Sequence, residues 1–238
     1  DPERRVCICE AGVSFSDLTK ATLRYGFAPT VVPELRGITV GGAVVGCSVE
    51  SMSFRYGGFH DSCLSYELVT GTGELLNVGR SKSPEVFHMI HGSFGTLGIL
   101  TLAEFQLVPA QDYVELRYEH LNSFASLLES VRGHYEAGDV DFMDAIVHAR
   151  DHHVLCLGNF RSDDAGRRSD PGIPYYRSTE ELEGDCLPTR DYFFRFDSDC
   201  HWIARRYGLE NPILRKLAGR YFLGSDRILG LAKKLPFL

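Results

Sequence analysis

The chain has 238 residues, with 44% hydrophobic and 24% charged side chains and a formal net charge of −7. This composition predicts a globular protein with a substantial core, and the acidic balance argues against nucleic acid as a partner. The sequence has no run of about 18 apolar residues, so no membrane-spanning helix is expected.

The seven cysteines include no CxxC pair. Such usage is typical of reduced thiols and predicts a cytoplasmic protein without a zinc site. The chain begins at Asp1 without an initiator Met or an apolar leader, and it ends at Leu238 without a polar tail. We therefore expect both ends to be truncations of a longer protein.

The first predicted elements are a short buried strand over Val6–Cys9 and a helix that begins at a Ser14 cap and ends at Gly26. The apolar spacing gives this helix a predicted inner face. That face consists of Leu18, Ala21, Thr22 and Tyr25.

A glycine-rich segment, Thr39–Ser51, follows, with glycines at 41, 42 and 46 among β-branched residues. Glycine tolerates left-handed backbone and close approach, so we predict a tight turn whose N–H groups converge on an anion. The segment nearly matches a P-loop, but Cys47 replaces the lysine, which argues against nucleoside triphosphate hydrolysis. A glycine turn between two buried strands that binds nothing is the open alternative.

The next residues predict a β-hairpin around Gly71, then a helix opening at Ser83-Pro84, then a strand over Ile99–Val108. The hairpin strands are Leu64–Thr70 and Glu74–Val78.

The pattern changes after residue 109, where a strand, a helix and two paired strands are predicted. The strands are Tyr113–Glu119, Phe142–Ala149 and His153–Asn159. The helix has a predicted Asn122 cap and an apolar stripe of Phe124, Leu127, Leu128, Val131 and Tyr135. Residues 161–190 are expected to be irregular, and amphipathic helices are predicted near Ser198–Tyr207 and Pro212–Tyr221. The fold class is therefore α+β, with a boundary between 1–108 and 109–238.

Two sets of residues carry a resemblance to a known family. The first comprises the Thr-Val-Gly-Gly-x-x-x-Gly segment from Thr39, then Glu50-Ser51-x-Ser53, Tyr56-Gly57, the hairpin and Gly95-Thr96-Leu97-Gly98-Ile99. With these motifs the chain resembles the vanillyl-alcohol oxidase / p-cresol methylhydroxylase family of FAD proteins. The second set makes it most similar to the delta-24 sterol reductases within that family. It comprises Leu187–Phe196, Trp202 and Asn211-Pro212-Ile213.

The resemblance implies that 1–108 form the second α/β subdomain of a PCMH-type FAD-binding domain, whose first subdomain is missing, and that 109–238 form part of an α+β cap domain. It also implies that one set of residues lies along the FAD. These are Thr39, Val40, Gly41, Gly42, Ala43, Val44, Val45, Gly46, Cys47, Ser48, Val49, Glu50, Ser51, Ser53, Gly98 and Ile99.

The implied activity is that of an FAD-dependent oxidoreductase that reduces a carbon–carbon double bond of a sterol-like or other lipid substrate, with NADPH-derived hydride passed through the flavin. An FAD-linked alcohol or sugar oxidase and a flavin-free binding or scaffold module are the alternatives. Yellow colour from bound flavin separates the enzymes from the scaffold.

Flavin chemistry needs a proton donor near the substrate, and a tyrosine or histidine can supply one. The candidates are Tyr192 and His201 for the proton and Arg195 as a cation that would stabilise the reduced flavin near N1, and all three lie among aromatic residues. The alternative is an aromatic core segment with one arginine whose charged end reaches water.

Two other features have alternative interpretations. His88 and His91 share a helix face, but they lack the glutamate of HExxH and a third ligand, so no metal site is expected. Residues 201–238 hold eight Arg or Lys against two acidic residues. This basic stretch predicts peripheral contact with an anionic membrane, and a solvated face or a partner contact is the alternative.

Overall fold

The structure, a computed structural model, describes residues 1–170 and 173–197. The chain divides into two compact units, one formed by Asp1–Gln111 and one that begins at Asp112. The helices predicted near 198–207 and 212–221 lie outside the described residues.

Helices and antiparallel sheets together give the α+β class, with nine strands and seven α-helices in the described ranges. The strands are β1 (Val6–Glu10), β2 (Phe27–Pro29), β3 (Cys63–Val69), β4 (Leu75–Gly79), β5 (Ile99–Pro109), β6 (Tyr113–Leu121), β7 (Phe142–Ala149), β8 (His152–Arg161) and β9 (Gly184–Pro188). The helices are α1 (Phe15–Thr22), α2 (Val40–Val45), α3 (Ser53–Tyr56), α4 (Pro84–Ile90), α5 (Phe124–Ala137), α6 (Tyr175–Ser178) and α7 (Thr189–Phe193). None of these helices is long and apolar enough to cross a membrane.

The first unit is an antiparallel sheet in the order β1-β5-β3-β4, with the short β2 also paired to β5. Because successive residues of a strand face opposite sides, alternate residues of β3 and β5 form the core face. Three buried rings, Phe15 of α1, Phe59 and Phe105 of β5, pack edge to face at 5.1 Å between neighbouring centroids. These contacts hold α1 against the sheet.

Several predicted elements of this unit are confirmed. The β3–β4 hairpin pairs Val69 with Leu75 around the predicted turn. The Ser14 hydroxyl accepts the Asp17 amide at 3.2 Å, and Gly26 ends the helical segment at φ +74°.

The predicted inner face of α1 is wrong in part, since Ala21 and Tyr25 are exposed. The buried residues are Phe15, Leu18, Thr19 and Thr22. The α-helix ends at Thr22 and a 3₁₀ turn follows over Leu23–Tyr25. A 3₁₀ helix winds more tightly than an α-helix, with three residues per turn, so the side chain of Tyr25 points away from the core face.

The second unit contains a four-stranded antiparallel sheet in the order β7-β8-β6-β9. The paired strands β7 and β8 are confirmed, but the expectation that 161–190 are irregular is wrong. Strand β9 extends the sheet by pairing with β6, with Leu187 opposite Val114. Its sequence, Gly-Asp-Cys-Leu-Pro, lacks strand alternation because four of its five residues are buried.

Helix α5 exists as predicted, but its cap and its buried face differ. The cap is Ser123, whose hydroxyl accepts the Ser126 amide at 3.1 Å. Of the predicted stripe only Leu127 is buried, whereas Phe124 and Tyr135 are each about three-fifths exposed (60% and 61%). Periodicity identifies the apolar face of a helix, but it does not show what covers that face.

Candidate functional site

The first part of the glycine-rich segment, Val40–Val45, is the helix α2, and the chain turns only after it. Thr39 caps α2, and its hydroxyl accepts the Gly42 amide at 3.2 Å. The Val40 amide donates to the Val13 carbonyl, and the Gly41 amide donates to the Ala11 carbonyl at 2.8 Å. The expectation that these N–H groups converge on an anion is therefore wrong, because the protein already supplies their acceptors.

The three glycines of this segment have different surroundings. A Cβ at Gly41 would lie 2.9 Å from the Ala11 Cβ, so close helix–strand packing requires glycine there. A Cβ at Gly46 would lie 2.9 Å from the Gly42 carbonyl oxygen. A Cβ at the exposed Gly42 would meet only the Thr39 hydroxyl, at 3.1 Å. Because glycine weakens a helix, Gly42 is the position where close approach of a ligand best explains the residue.

The backbone turns after α2 at Cys47, which has a φ of +51°. The following turn is held by its own polar groups. The Ser53 hydroxyl accepts the Glu50 amide at 2.9 Å, and the Glu50 carboxylate accepts the Ser51 amide. These side chains therefore fix the shape of the turn.

A second segment, the loop 92–98, lies beside the end of α2. The Phe94 amide donates to the Val45 carbonyl at 3.1 Å, and a Cβ at Gly92 would lie 3.4 Å from the Cys47 sulfur. The loop has positive φ at positions 92, 94, 95 and 98. At Gly98 a Cβ would lie 2.5 Å from the Val69 carbonyl oxygen, so this position requires glycine.

The two segments present exposed apolar side chains beside glycine backbone. Val49 is 67% exposed, Phe94 80% and Ile99 71%. Such exposure is typical of a surface that receives a ligand or another part of a protein. Within the described ranges, the amides of Gly95 and Leu97 have no protein acceptor, so they are available to a polar ligand atom.

The residues that the resemblance places along FAD differ in their exposure in the structure. Val40, Gly41, Ala43, Val44 and Ser51 are buried, so they support the surface from behind. The others keep some exposure. They are Thr39, Gly42, Val45, Gly46, Cys47, Ser48, Val49, Glu50, Ser53, Gly98 and Ile99.

Three histidines lie behind the 92–98 loop. The His91 ring is 4.8 Å from that of His60 and 5.6 Å from that of His88, and its Nε2 lies 3.0 Å from the Tyr66 hydroxyl. In the part of the chain that the structure describes, no group of three or more His, Cys, Asp or Glu side chains is placed to hold a metal ion. Sequence spacing revealed the 88/91 pair but not Tyr66, which is distant in the chain.

In the second unit, Tyr192 and Arg195 are brought together in the core. The Arg195 guanidinium lies 4.2 Å from the Tyr192 ring centroid, and Tyr192 packs against Phe142 at 4.7 Å. Both residues are buried, and Arg195 pairs with Asp144 at 3.1 Å. The alternative of an arginine that reaches water is wrong, since its side chain is 1% exposed. His201 lies outside the described residues.

The first unit is thus an α+β unit in which α2, the turn after it and the 92–98 loop adjoin one another and keep exposed residues. The comparisons with known proteins give the class of domain. The family of FAD binding domains matches residues 1–79, which include α2 and the 47–53 turn but not the 92–98 loop.

Three relatives illustrate the similarity. Delta(24)-sterol reductase of Rattus norvegicus is 28% identical, with 92% of this chain and 45% of the relative covered. A delta(24)-sterol reductase homolog of Caenorhabditis elegans is 30% identical, with 86% of this chain and 44% of the relative covered. Cytokinin dehydrogenase 7 of Oryza sativa subsp. japonica is 32% identical over 46% of this chain and 22% of the relative.

Residues 1–79 match the family of FAD binding domains, and most of the chain is similar to delta(24)-sterol reductases. The chain spans less than half the length of these relatives. The residues present fit FAD, because the exposed Gly42 allows close approach to the start of α2 and the amides of Gly95 and Leu97 have no acceptor within the described ranges.

Proposed function

We propose that this chain is part of an FAD-dependent oxidoreductase that uses NADPH to reduce a carbon–carbon double bond of a sterol-like or other lipid substrate. The observation that carries this proposal is the similarity to delta(24)-sterol reductase over 92% of the chain, which extends through both units. The exposed surface of the first unit supports the cofactor assignment.

We propose that 1–108 contribute one part of the flavin domain and that 109–238 contribute part of a cap domain over the substrate. The cofactor contacts proposed within the first part are the exposed positions of α2, the 47–53 turn and Gly98-Ile99. Val40, Ala43 and Val44, which have no exposed surface, hold α2 against the sheet.

When bound, FAD supplies two-electron redox chemistry. The residues of this chain orient it: Gly42 and Gly46 leave room for close approach, and Val49, Phe94 and Ile99 exclude water from one side. In the second unit, the buried Tyr192 and Arg195 are proposed to position the cap, and His201 is the proposed proton donor.

The test measures FAD binding and turnover separately with the full-length protein that contains this chain. FAD binding is read from flavin fluorescence, and Gly42→Val is expected to weaken it about tenfold or more by filling the exposed gap. Leu75→Val is the matched control, because Leu75 is an exposed strand residue of the same unit. Absence of FAD from the full-length protein that contains this chain overturns the proposal.

Turnover is read as NADPH consumption with a sterol that has a side-chain double bond and with its saturated counterpart. Consumption with the unsaturated sterol alone supports the reductase. The basic stretch 201–238 is also proposed to contact the anionic cytoplasmic face of a membrane. The protein should then sediment with anionic vesicles and lose this association in high salt.

A second candidate function is oxidation of an alcohol or sugar substrate by FAD. The similarity to cytokinin dehydrogenase 7, which is named for dehydrogenation, favours it. Anaerobic loss of flavin colour on adding NADPH supports the reductase, whereas loss of colour with alcohols or sugars alone supports the oxidase. Absence of flavin from the full-length protein that contains this chain would favour a scaffold role.

A further inference from the structure

The loop 92–98 begins at a histidine that is bonded to the sheet. His91 follows the last residue of α4, and its Nε2 lies 3.0 Å from the hydroxyl of Tyr66 on the central strand β3. The Tyr66 ring is 2% exposed and stacks on Phe87 of α4 at 4.9 Å. Tyr66 is therefore a rigid anchor for the residue that precedes the loop.

The loop has few other restraints. It holds four residues with positive φ, which is a backbone of low intrinsic stability for Phe94 in particular. Its hydrogen bond to α2 is the Phe94 amide to the Val45 carbonyl, Thr96 bonds to Ser93 within the loop, and the Ser93 amide donates to the Ile90 carbonyl at the end of α4 at 3.1 Å. The bond between His91 and Tyr66 is the side-chain bond that ties this entrance to the sheet.

The groups around His91 favour its neutral form. Burial, followed by His60 and His88, lowers the pKa of His91 to about 4, and Arg80 acts in the same direction while Asp61 opposes it. Burial also raises the pKa of Tyr66, so its hydroxyl keeps its proton. The pair is thus an uncharged hydrogen bond at neutral pH.

We propose that His91 is a positioning residue for the flavin cofactor, which acts by tying the entrance of the 92–98 loop to Tyr66. This inference rests on the proposed function, because the loop matters only if its exposed face receives the cofactor. His91 itself does not touch the candidate contact residues; it acts through the loop.

The test compares Tyr66→Phe, His91→Phe and the double variant in the full-length protein that contains this chain. Each single variant removes the hydrogen bond and retains an aromatic ring, so each should weaken FAD binding about fivefold to tenfold. The double variant should lose no more than either single variant, because both act through one bond. His88→Gln, three residues earlier on the exposed side of α4, is the matched control and should bind FAD as the wild type does.

Two further readouts separate positioning from general loss of stability. Without FAD, hydrogen exchange of the Phe94 amide should accelerate in Tyr66→Phe and His91→Phe while exchange in β5 stays unchanged. His91→Gln, which retains a hydrogen-bonding group, should recover much of the affinity.

Additive losses, or unchanged exchange of Phe94 in both single variants, would overturn this proposal while leaving FAD binding by the wild type intact. Absence of FAD binding by the wild type would instead overturn the proposed function, and with it the cofactor part of this inference.

Discussion

The carboxylate of Asp144 and the guanidinium of Arg195 form an ion pair 3.1 Å apart, although 51 residues separate them in the chain. The pair joins β7 to the turn that follows α7. The Arg195 guanidinium also lies 4.6 Å from the Phe196 ring centroid. Because an unpaired buried charge is costly, this pair makes the position of the whole aromatic segment depend on one strand residue.

Replacing Asp144 with Asn should destabilise the second unit by about 1–3 kcal/mol, because it removes the carboxylate charge from the hydrogen bond to the buried Arg195 guanidinium. Urea denaturation followed by tyrosine fluorescence measures the change. Asp151→Asn, an exposed carboxylate in the β7–β8 turn, is the control and should stay within about 0.5 kcal/mol of wild type. Equal effects of the two substitutions would mean that the pair does not secure the segment.

The sequence predicts the elements of this fold better than their partners. The β3–β4 hairpin follows from local alternation and a glycine turn, and α5 follows from its apolar spacing. The pairing of Arg195 with Asp144 has no local signal, because the two residues meet only through the sheet. For the same reason, the glycine at 41 indicates a turn in sequence but serves the packing of a helix against Ala11.

The candidate surface was predictable to a similar degree. The motifs around Gly42 and Gly98 identified two segments, and the structure brings them together through the bond between the Phe94 amide and the Val45 carbonyl. Tertiary packing decides which residues of these segments are exposed, and local sequence patterns do not show it. Tertiary packing also brings Tyr66 to His91, so the sequence did not indicate this contact.

Neighbouring leucines of α5 should respond very differently to truncation. Leu127 is 4% exposed and Leu128 49% exposed. Leu127→Ala should cost about 2–5 kcal/mol because it leaves a cavity under the helix, and Leu128→Ala should cost less than about 1 kcal/mol. Chemical denaturation of the two variants measures the difference. Similar costs would mean that the apolar stripe is buried on both sides.

A histidine in the last turns of α5 should give the second unit a pH-dependent stability. His134 Nε2 lies 3.1 Å from a Glu119 oxygen, and Nδ1 lies 3.0 Å from an Asp139 oxygen. Burial lowers the pKa of His134, but the hydrogen bonds that the ring donates to the Asp139 and Glu119 carboxylates outweigh it, so the net pKa lies above the ordinary value of 6.5.

The folded chain therefore holds this proton more tightly than the unfolded chain, and the stabilisation is complete below pH 6.5. It should be lost as the pH rises through the raised pKa of His134 in the folded state. Denaturation midpoints measured from pH 6 to 9 should show this loss in wild type and in the His88→Gln control, but not in His134→Gln. A wild-type stability that rises over this range would contradict the assigned direction.

The two adjacent glycines of α2 offer the sharpest test of the candidate surface. Gly41→Ala places a Cβ 2.9 Å from the Ala11 Cβ and 3.2 Å from its carbonyl oxygen. This overpacking should cost about 1–3 kcal/mol in stability. Gly42→Ala points outward, and the gain of up to about 1 kcal/mol from helix propensity offsets the contact with the Thr39 hydroxyl. Its thermal stability should equal or exceed that of wild type, yet its FAD affinity should fall, because the added methyl group occupies the exposed gap. A Gly42→Ala chain that binds FAD as tightly as wild type would remove Gly42 from the cofactor contacts, whatever the stability of Gly41→Ala.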